Sequence, residues 1–485
     1  MRKSGILMHI SSLPSPYGIG TMGRAAREFV DFLQESGQSV WQLLPICPTG
    51  YGDSPYQSCC TYAGNPYFID LDELKDWGLL KKTEYVDIDW EGTPDAVNYG
   101  ALYEKRYPIL RKAAERFLQL IGPGCVDGSY ALGMAREYQA FCGKNGFWLS
   151  DYAMFMARKA GAKTERTREA EMIKVYQFFF WKQWWSLKAY ANKRGIAILG
   201  DLPIYVPLDS VDVWAHPEFF QLDENKMPRE VAGVPPDGFT AEGQLWGNPL
   251  YDWEYMEQDG FAWWVNRIRY LCDVYDMLRI DHFRGFESYY AIPYGETTAK
   301  NGRWKKGPGI KLFRAVEEKI GKQNIIAEDL GYLTEAVHEL LRETGFPGMK
   351  VLEFAFDSRE SSGSTYLPHH YERNCVAYPG THDNNTILGW LSELSPEDAA
   401  YARKYLRLGD DEENSQICWN VIGALWGSVA DLTVVQMQDV LGLGSEARMN
   451  TPSTLGKNWK WRMKPGALTH ALAEKLREIT DLYGR

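Results

Sequence analysis

Three short stretches pair an acid with a neighbour able to tune it. Met277-Leu-Arg-Ile-Asp-His-Phe-Arg284 sets Arg279 and Asp281 two residues apart, and in an extended strand that spacing sends both side chains to one face. A guanidinium beside a carboxylate keeps it ionised and oriented, which suits a nucleophile. Ile325-Ile-Ala-Glu-Asp-Leu-Gly331 carries Glu328 at the end of an apolar run, where burial can raise a carboxyl's pKa as a proton donor requires. In Val376-Ala-Tyr-Pro-Gly-Thr-His-Asp-Asn-Asn385, His382 and Asp383 follow Gly380, a residue that permits a tight turn. A His-Asp pair can hydrogen-bond sugar hydroxyls and support a cationic transition state. Taken singly, each stretch also reads as ordinary structure: an ion pair, an acidic loop entrance, turn chemistry. Taken together they fit glycosidic-bond chemistry. Retention there needs an acid and a nucleophile about 5 to 5.5 Å apart, and neighbouring strands lie about 4.8 Å apart.

Such acids work together only if strand ends gather them. Short apolar runs alternate with helical periodicity along the chain, the pattern of parallel strands joined by helices. Eight runs qualify: Gly5–Ile10, Val40–Pro45, Ile196–Leu202, Met277–His282, Asn324–Leu330, Met349–Phe356, Cys375–Gly380 and Leu432–Val435. Eight favour a closed (β/α)₈ TIM barrel, an α/β fold whose active site lies at the C-terminal strand ends. The whole of 1–485 is expected to be one enlarged barrel domain. Between the first two runs, Arg24–Ser36 has Phe29, Phe32 and Leu33 on one helical face, with Gly37 placed to end it. The gap between the second and third runs is too long for one crossover, so residues about 50–190 must hold inserted, largely helical structure. Its helices are expected at Tyr99–Leu118, Tyr130–Phe141 and Lys174–Arg194. The aromatic run Phe178–Trp185 in the last reads as core between barrel and insert. The stretch 229–253, rich in Gly and Pro, is long enough to be a lid or binding loop.

Composition narrows the class. Aromatic residues make up 14% of the chain, with 18 Trp and 29 Tyr; pyranose faces pack on such rings, and a large core that simply uses big residues accounts for the same composition. A formal net charge of −11 with no basic run argues against a nucleic-acid partner. The eight cysteines show no CxxC or Cys/His metal spacing. Adjacent Cys59 and Cys60 are awkward to bridge, so reduced thiols in a cytoplasmic protein are expected. No metal site, organic cofactor or membrane span is expected.

Further motifs give the chain a family likeness. Ser11-Ser-Leu-Pro-Ser-Pro-Tyr-Gly-Ile-Gly20, Gly50-Tyr-Gly-Asp-Ser-Pro-Tyr-Gln-Ser58 with Ala63-Gly-Asn-Pro-Tyr67, and Gly233-Val-Pro-Pro-Asp237 with Gly243-Gln-Leu-Trp-Gly-Asn-Pro249 resemble glycoside hydrolase family 77, the 4-α-glucanotransferases or amylomaltases. The likeness extends over nearly the whole chain. It implies a transferase moving 1,4-α-glucan segments to the 4-hydroxyl of another glucan or of glucose. The alternative is an amylase-type hydrolase with the same acids. By the same likeness Asp281 is the nucleophile, Glu328 the acid and base, and Asp383 the group binding the sugar's 2- and 3-hydroxyls. Arg279, Asp201 and His382 would orient the donor. Ser54, Tyr56, Gln244 and Trp246 would line the site, and Tyr51 would belong to an outer glucan-guiding surface. The expected partners are α-1,4-glucans and maltooligosaccharides. Cys59, Cys60 and Gly238 depart from the family pattern, which bears on loop rigidity and chain-length preference rather than on the chemistry.

Overall fold

The computed structural model describes residues 2–485 except 51, 123–128, 162–166, 237–239, 332, 359–362 and 410. Eight parallel strands form the central sheet, and only these are numbered: β1 Lys3–Leu7, β2 Val40–Gln42, β3 Ala197–Leu202, β4 Met277–Ile280, β5 Ile325–Ala327, β6 Gly348–Val351, β7 Cys375–Tyr378 and β8 Leu432–Gln436. Every one falls within or across an expected run. Their order, β6-β7-β8-β1-β2-β3-β4-β5, brings the sheet's two ends round to each other. At that seam the Ala327 N–H donates to the Pro347 carbonyl at 2.9 Å. The Met349 N–H donates to the Asp329 carboxylate at 2.6 Å, so a side chain replaces a main-chain partner there. The result is a near-closed (β/α)₈ barrel.

Helix Arg24–Glu35 buries Phe29, Val30 and Leu33, and Phe29 meets Trp41 of β2 edge-on at 5.2 Å. It ends with Gly37 at φ +74. There the Gly37 and Gln38 N–H groups donate back to Gln34 and Leu33, the Schellman closure that favours glycine.

Between β2 and β3 lie helices Leu71–Asp76, Tyr99–Leu120, Ser129–Lys144, Gly146–Lys159 and Arg168–Lys193. The fourth, not expected from the sequence, follows the third after Asn145 alone and buries Trp148, Leu149, Tyr152, Ala153 and Phe155. The last begins earlier than expected because the Thr167 side chain caps it, accepting from the Ala170 N–H. Phe178, Phe179, Phe180, Trp181 and Trp184 are buried while Trp185 is not, so the aromatic run is core.

That helix also fixes the loop leading from β2. The buried Gln177 amide accepts from the Gly64 N–H and donates to the Gly64 carbonyl, at 2.7 and 2.8 Å. Gln183 does the same for Asp70, at 2.7 and 3.1 Å. A Cβ at Gly64 would lie 2.0 Å from the Phe180 ring, so only glycine allows this approach. Cys59 and Cys60 are both free.

The stretch at 229–253 contains two strands. Glu230–Val234 pairs antiparallel with Gln244–Pro249 on one side and Ser288–Pro293 on the other, and Arg303–Lys306 completes a second, four-stranded sheet. Its Gly and Pro residues conceal the strand signal, and the partner strand Ser288–Pro293 lies 57 to 63 residues further along the chain. No described helix is long and apolar enough to cross a membrane.

Candidate active site

Register assembles the acids. Between β3 and β4 Asp201 pairs with Arg279 and Leu202 with Ile280. Between β4 and β5 Arg279 pairs with Ile326 and Ile280 with Ala327. Carried one step further, that register sets Asp281 beside Glu328, and the backbone bonds agree: the Asp281 N–H donates to Leu202, the Glu328 N–H to Ile280 and the Phe283 N–H to the Glu328 carbonyl, each at 3.0 Å. Paired residues of parallel strands share a face, so Asp201, Arg279, Asp281 and Glu328 gather at one mouth of the barrel.

Arg279 is the hub. Its Nη1 reaches both oxygens of Asp201 at 2.8 Å, and its Nη2 lies 3.0 Å from the Asp281 carboxylate. The Asp201 side chain is fully buried and that of Asp281 is 29% exposed, so Asp281 is the acid that faces the open mouth. The Tyr56 hydroxyl donates to Asp201 at 2.7 Å.

Glu328 is held by backbone. Its two oxygens accept from the His282 N–H at 2.6 Å and the Leu330 N–H at 2.9 Å. His282 can present its N–H this way because it sits in the left-handed region, at φ 50. A histidine there is strained, and such strain concentrates at working sites. Burial pushes its imidazole down to about 3, and its Nε2 is buried with no hydrogen-bond partner among the described residues.

The two acids titrate as a pair. Burial pushes both carboxyls above the usual range. For Asp281, Arg279 opposes this and the charges of Asp201, Glu328 and Asp383 add to it. For Glu328, Arg279 and the two backbone donors oppose it. One guanidinium cannot offset so many carboxylates in a buried site, so the pair retains a proton at pH values where free acids would be bare.

Asp383 comes from the turn after β7. Its carboxylate accepts from the Asn450 amide at 2.6 Å and lies 3.4 Å from His382 Nε2. Its carbonyl accepts from Arg448 at 2.9 Å. His382 is stacked on Tyr56, with ring centroids 5.1 Å apart and 13° between planes, and Trp459 lies beyond at 5.9 Å. Burial lowers the His382 pKa and the Asp383 charge raises it.

The other expected residues flank this group. Trp246 meets His282 edge-on at 4.8 Å, and its indole N–H donates to Gln244 at 3.1 Å. Ser54 joins through Tyr56, whose N–H donates to the Ser54 hydroxyl at 3.3 Å. Tyr51, Asp237 and Gly238 lie outside the described residues. Sequence reasoning missed Asn450, Arg448 and Trp459, which arrive from a segment with no regular structure. The only signal was its run of Asn, Trp and Arg residues between 448 and 462.

The family model described as 4-alpha-glucanotransferase, glycoside hydrolase family 77, matches residues 8–169 and 159–469. The chain belongs to the 4-α-glucanotransferase family. It is 47% identical to the 4-alpha-glucanotransferase of Clostridium butyricum, over 99% of this chain and all of that protein. Identity to the Thermus thermophilus 4-alpha-glucanotransferase is 43%, over 100% of this chain and 99% of that one. Among solved structures, amylomaltase from Streptococcus agalactiae in complex with acarbose superposes with a TM-score of 0.94 at 43% identity, covering all of both chains. The chain is thus an enzyme of family 77, and the acids gathered at its barrel mouth belong to a glucan-transferase fold.

Proposed function

We propose that the enzyme transfers segments of 1,4-α-glucan from one maltooligosaccharide to the 4-hydroxyl of another, or of glucose, with retention of configuration. Asp281 attacks the anomeric carbon, so its oxygen bonds to C1 as the C1–O4 bond breaks. Glu328 gives its proton to the departing O4. In the second half the acceptor's 4-hydroxyl attacks C1, returns a proton to Glu328 and frees Asp281. Asp383 accepts hydrogen bonds from the 2- and 3-hydroxyls of the strained sugar, strengthening as charge develops on the ring. Arg279, Asp201 and His382 orient the donor, and Tyr56, Ser54, Gln244 and Trp246 line its path, with Tyr51 further out.

The observation that carries this reading is the β4–β5 register, which sets Asp281 beside Glu328 in surroundings that keep one proton on the pair. A nucleophile and an acid need that shared state, one bare and one protonated. Transfer rather than hydrolysis follows the family, since both reactions pass through the same covalent intermediate and differ in what reaches it.

Incubation with maltotriose tests the reaction. Glucose plus a ladder of longer oligosaccharides is expected, whereas glucose and maltose alone would mean that water is the acceptor. Asp281→Asn tests the site: turnover should fall on the order of 10⁴-fold or more with an unchanged circular dichroism spectrum. Full residual activity would remove Asp281 from its role.

A further inference from the structure

The guanidinium that gathers the acids has one donor that no acid takes. Arg279 Nη1 reaches the two oxygens of Asp201, and Nη2 faces Asp281. Its Nε–H turns instead to β6, where it donates to the sulfur of Met349 at 3.4 Å. Both side chains are buried in the barrel. Alternate strands share the layers of a barrel interior, so a residue of β6 can pass β5 and meet one of β4.

Met349 is itself anchored. Its N–H donates to the Asp329 carboxylate at 2.6 Å, and on the other side its backbone pairs with Val376 of β7. A Cβ at Gly348 would lie 2.5 Å from Asp329 Oδ2, so the glycine leaves room for that carboxylate to reach the Met349 N–H. A methionine side chain is pliant in general, but this one hangs from a strand fixed at both edges.

We infer that Met349 is a positioning residue for the reaction, its sulfur holding the Nε end of Arg279 so that the other end stays aligned with Asp201 and Asp281. This rests on the roles given above to Arg279 and Asp281. A guanidinium is a rigid plane, so fixing Nε fixes the directions in which both Nη groups point. A thioether is a weak, neutral acceptor. It occupies the N–H without adding a charge that would compete with the acids for the same cation. Leucine would match its bulk and leave Nε–H buried without an acceptor, which is costly and is relieved by turning the guanidinium. Glutamine is close in size and restores a neutral acceptor.

The groups that face this guanidinium are Asp201, Asp281, Glu328 and Tyr56, with Tyr378 and His382 on the β7 side. Turned away from Asp281, Arg279 would offer the two working acids less positive charge. The pair would then keep its shared proton to higher pH.

The test follows glucose release from maltotriose across the pH range for Met349→Leu, Met349→Gln and Asp281→Asn. Met349→Leu should lose about 10- to 100-fold in kcat, the cost of a misplaced group. The alkaline limb of its kcat/KM profile should move up by roughly half a pH unit or more. Met349→Gln should stay close to the native enzyme in both. A residue that only fills the core gives the reverse order, because leucine is the better apolar match and glutamine buries an amide. Native kcat in Met349→Leu, a native alkaline limb there, or a Met349→Gln slower than Met349→Leu would each overturn the inference. Should Met349→Gln not fold, Met349→Leu decides alone, since it conserves volume and disturbs the core least. Asp281→Asn keeps the two readings apart. If it is inactive while Met349→Leu is native, the role of Met349 alone fails; if it is itself active, the reading of the site fails and the inference with it.

Discussion

Arg279 is one guanidinium facing two carboxylates, Asp201 and Asp281, with Glu328 and Asp383 close enough to matter. That imbalance, deepened by burial, sets the pH behaviour of the site. The pair's proton is held above the ordinary carboxylate range, so activity should persist into neutral pH and fall on the alkaline side as that proton is lost. Stability follows the same sign. An acid whose folded pKa is raised leaves the fold most stable below its unfolded value near 4, and it loses stability as pH rises toward the folded one. Asp281→Asn should therefore be more stable than the native enzyme at pH 8, by about 1–2 kcal/mol. The gain should shrink as pH falls toward 4. Urea unfolding of both proteins at several pH values measures it; a constant gap would mean that the carboxyl is not strained by its surroundings. The chemistry of these residues was visible in the sequence because each acid ends its own strand. Their partners were not visible. Asn450 lies 67 residues beyond Asp383, and no local pattern announces a contact of that span.

At the scale of the element, the helix Arg168–Lys193 holds the loop that leads from β2. Its Gln177 and Gln183 satisfy both main-chain groups of Gly64 and of Asp70, which fixes the loop whose earlier part carries Ser54 and Tyr56. Gln177→Leu keeps the side chain's size but leaves a buried N–H and a buried C=O without partners. It should cost about 2–5 kcal/mol, read as a lower urea midpoint, and a midpoint within error of the native enzyme would show that the loop is held by packing alone. Elements differed in how well sequence declared them. The barrel strands stand out because a parallel strand covered by helices is apolar throughout. Helix Gly146–Lys159 is obscured by its near-continuity with the preceding helix. The strands Glu230–Val234 and Gln244–Pro249 are obscured by glycine and proline, and by a register with Ser288–Pro293 that only the folded chain supplies.

At the scale of the whole molecule, a formal charge of −11 surrounds a site built for neutral sugars. Ionic steering has little to act on, so kcat/KM for maltooligosaccharides should change less than about twofold between low and half-molar salt. A steep salt slope would point to recognition by charge. The barrel itself is not uniform around its circumference. Seven of its junctions are ladders of main-chain pairs, while the eighth, between β5 and β6, is sutured by one main-chain bond and the carboxylate of Asp329. If the cylinder breathes, it opens first along that suture, one residue away from Glu328. Amide exchange should then be faster at Ala327 and Met349 than at their counterparts in β1 and β4. The looseness would reach the proton donor before any other acid, a vent in the wall beside the one group that must both give up a proton and take it back.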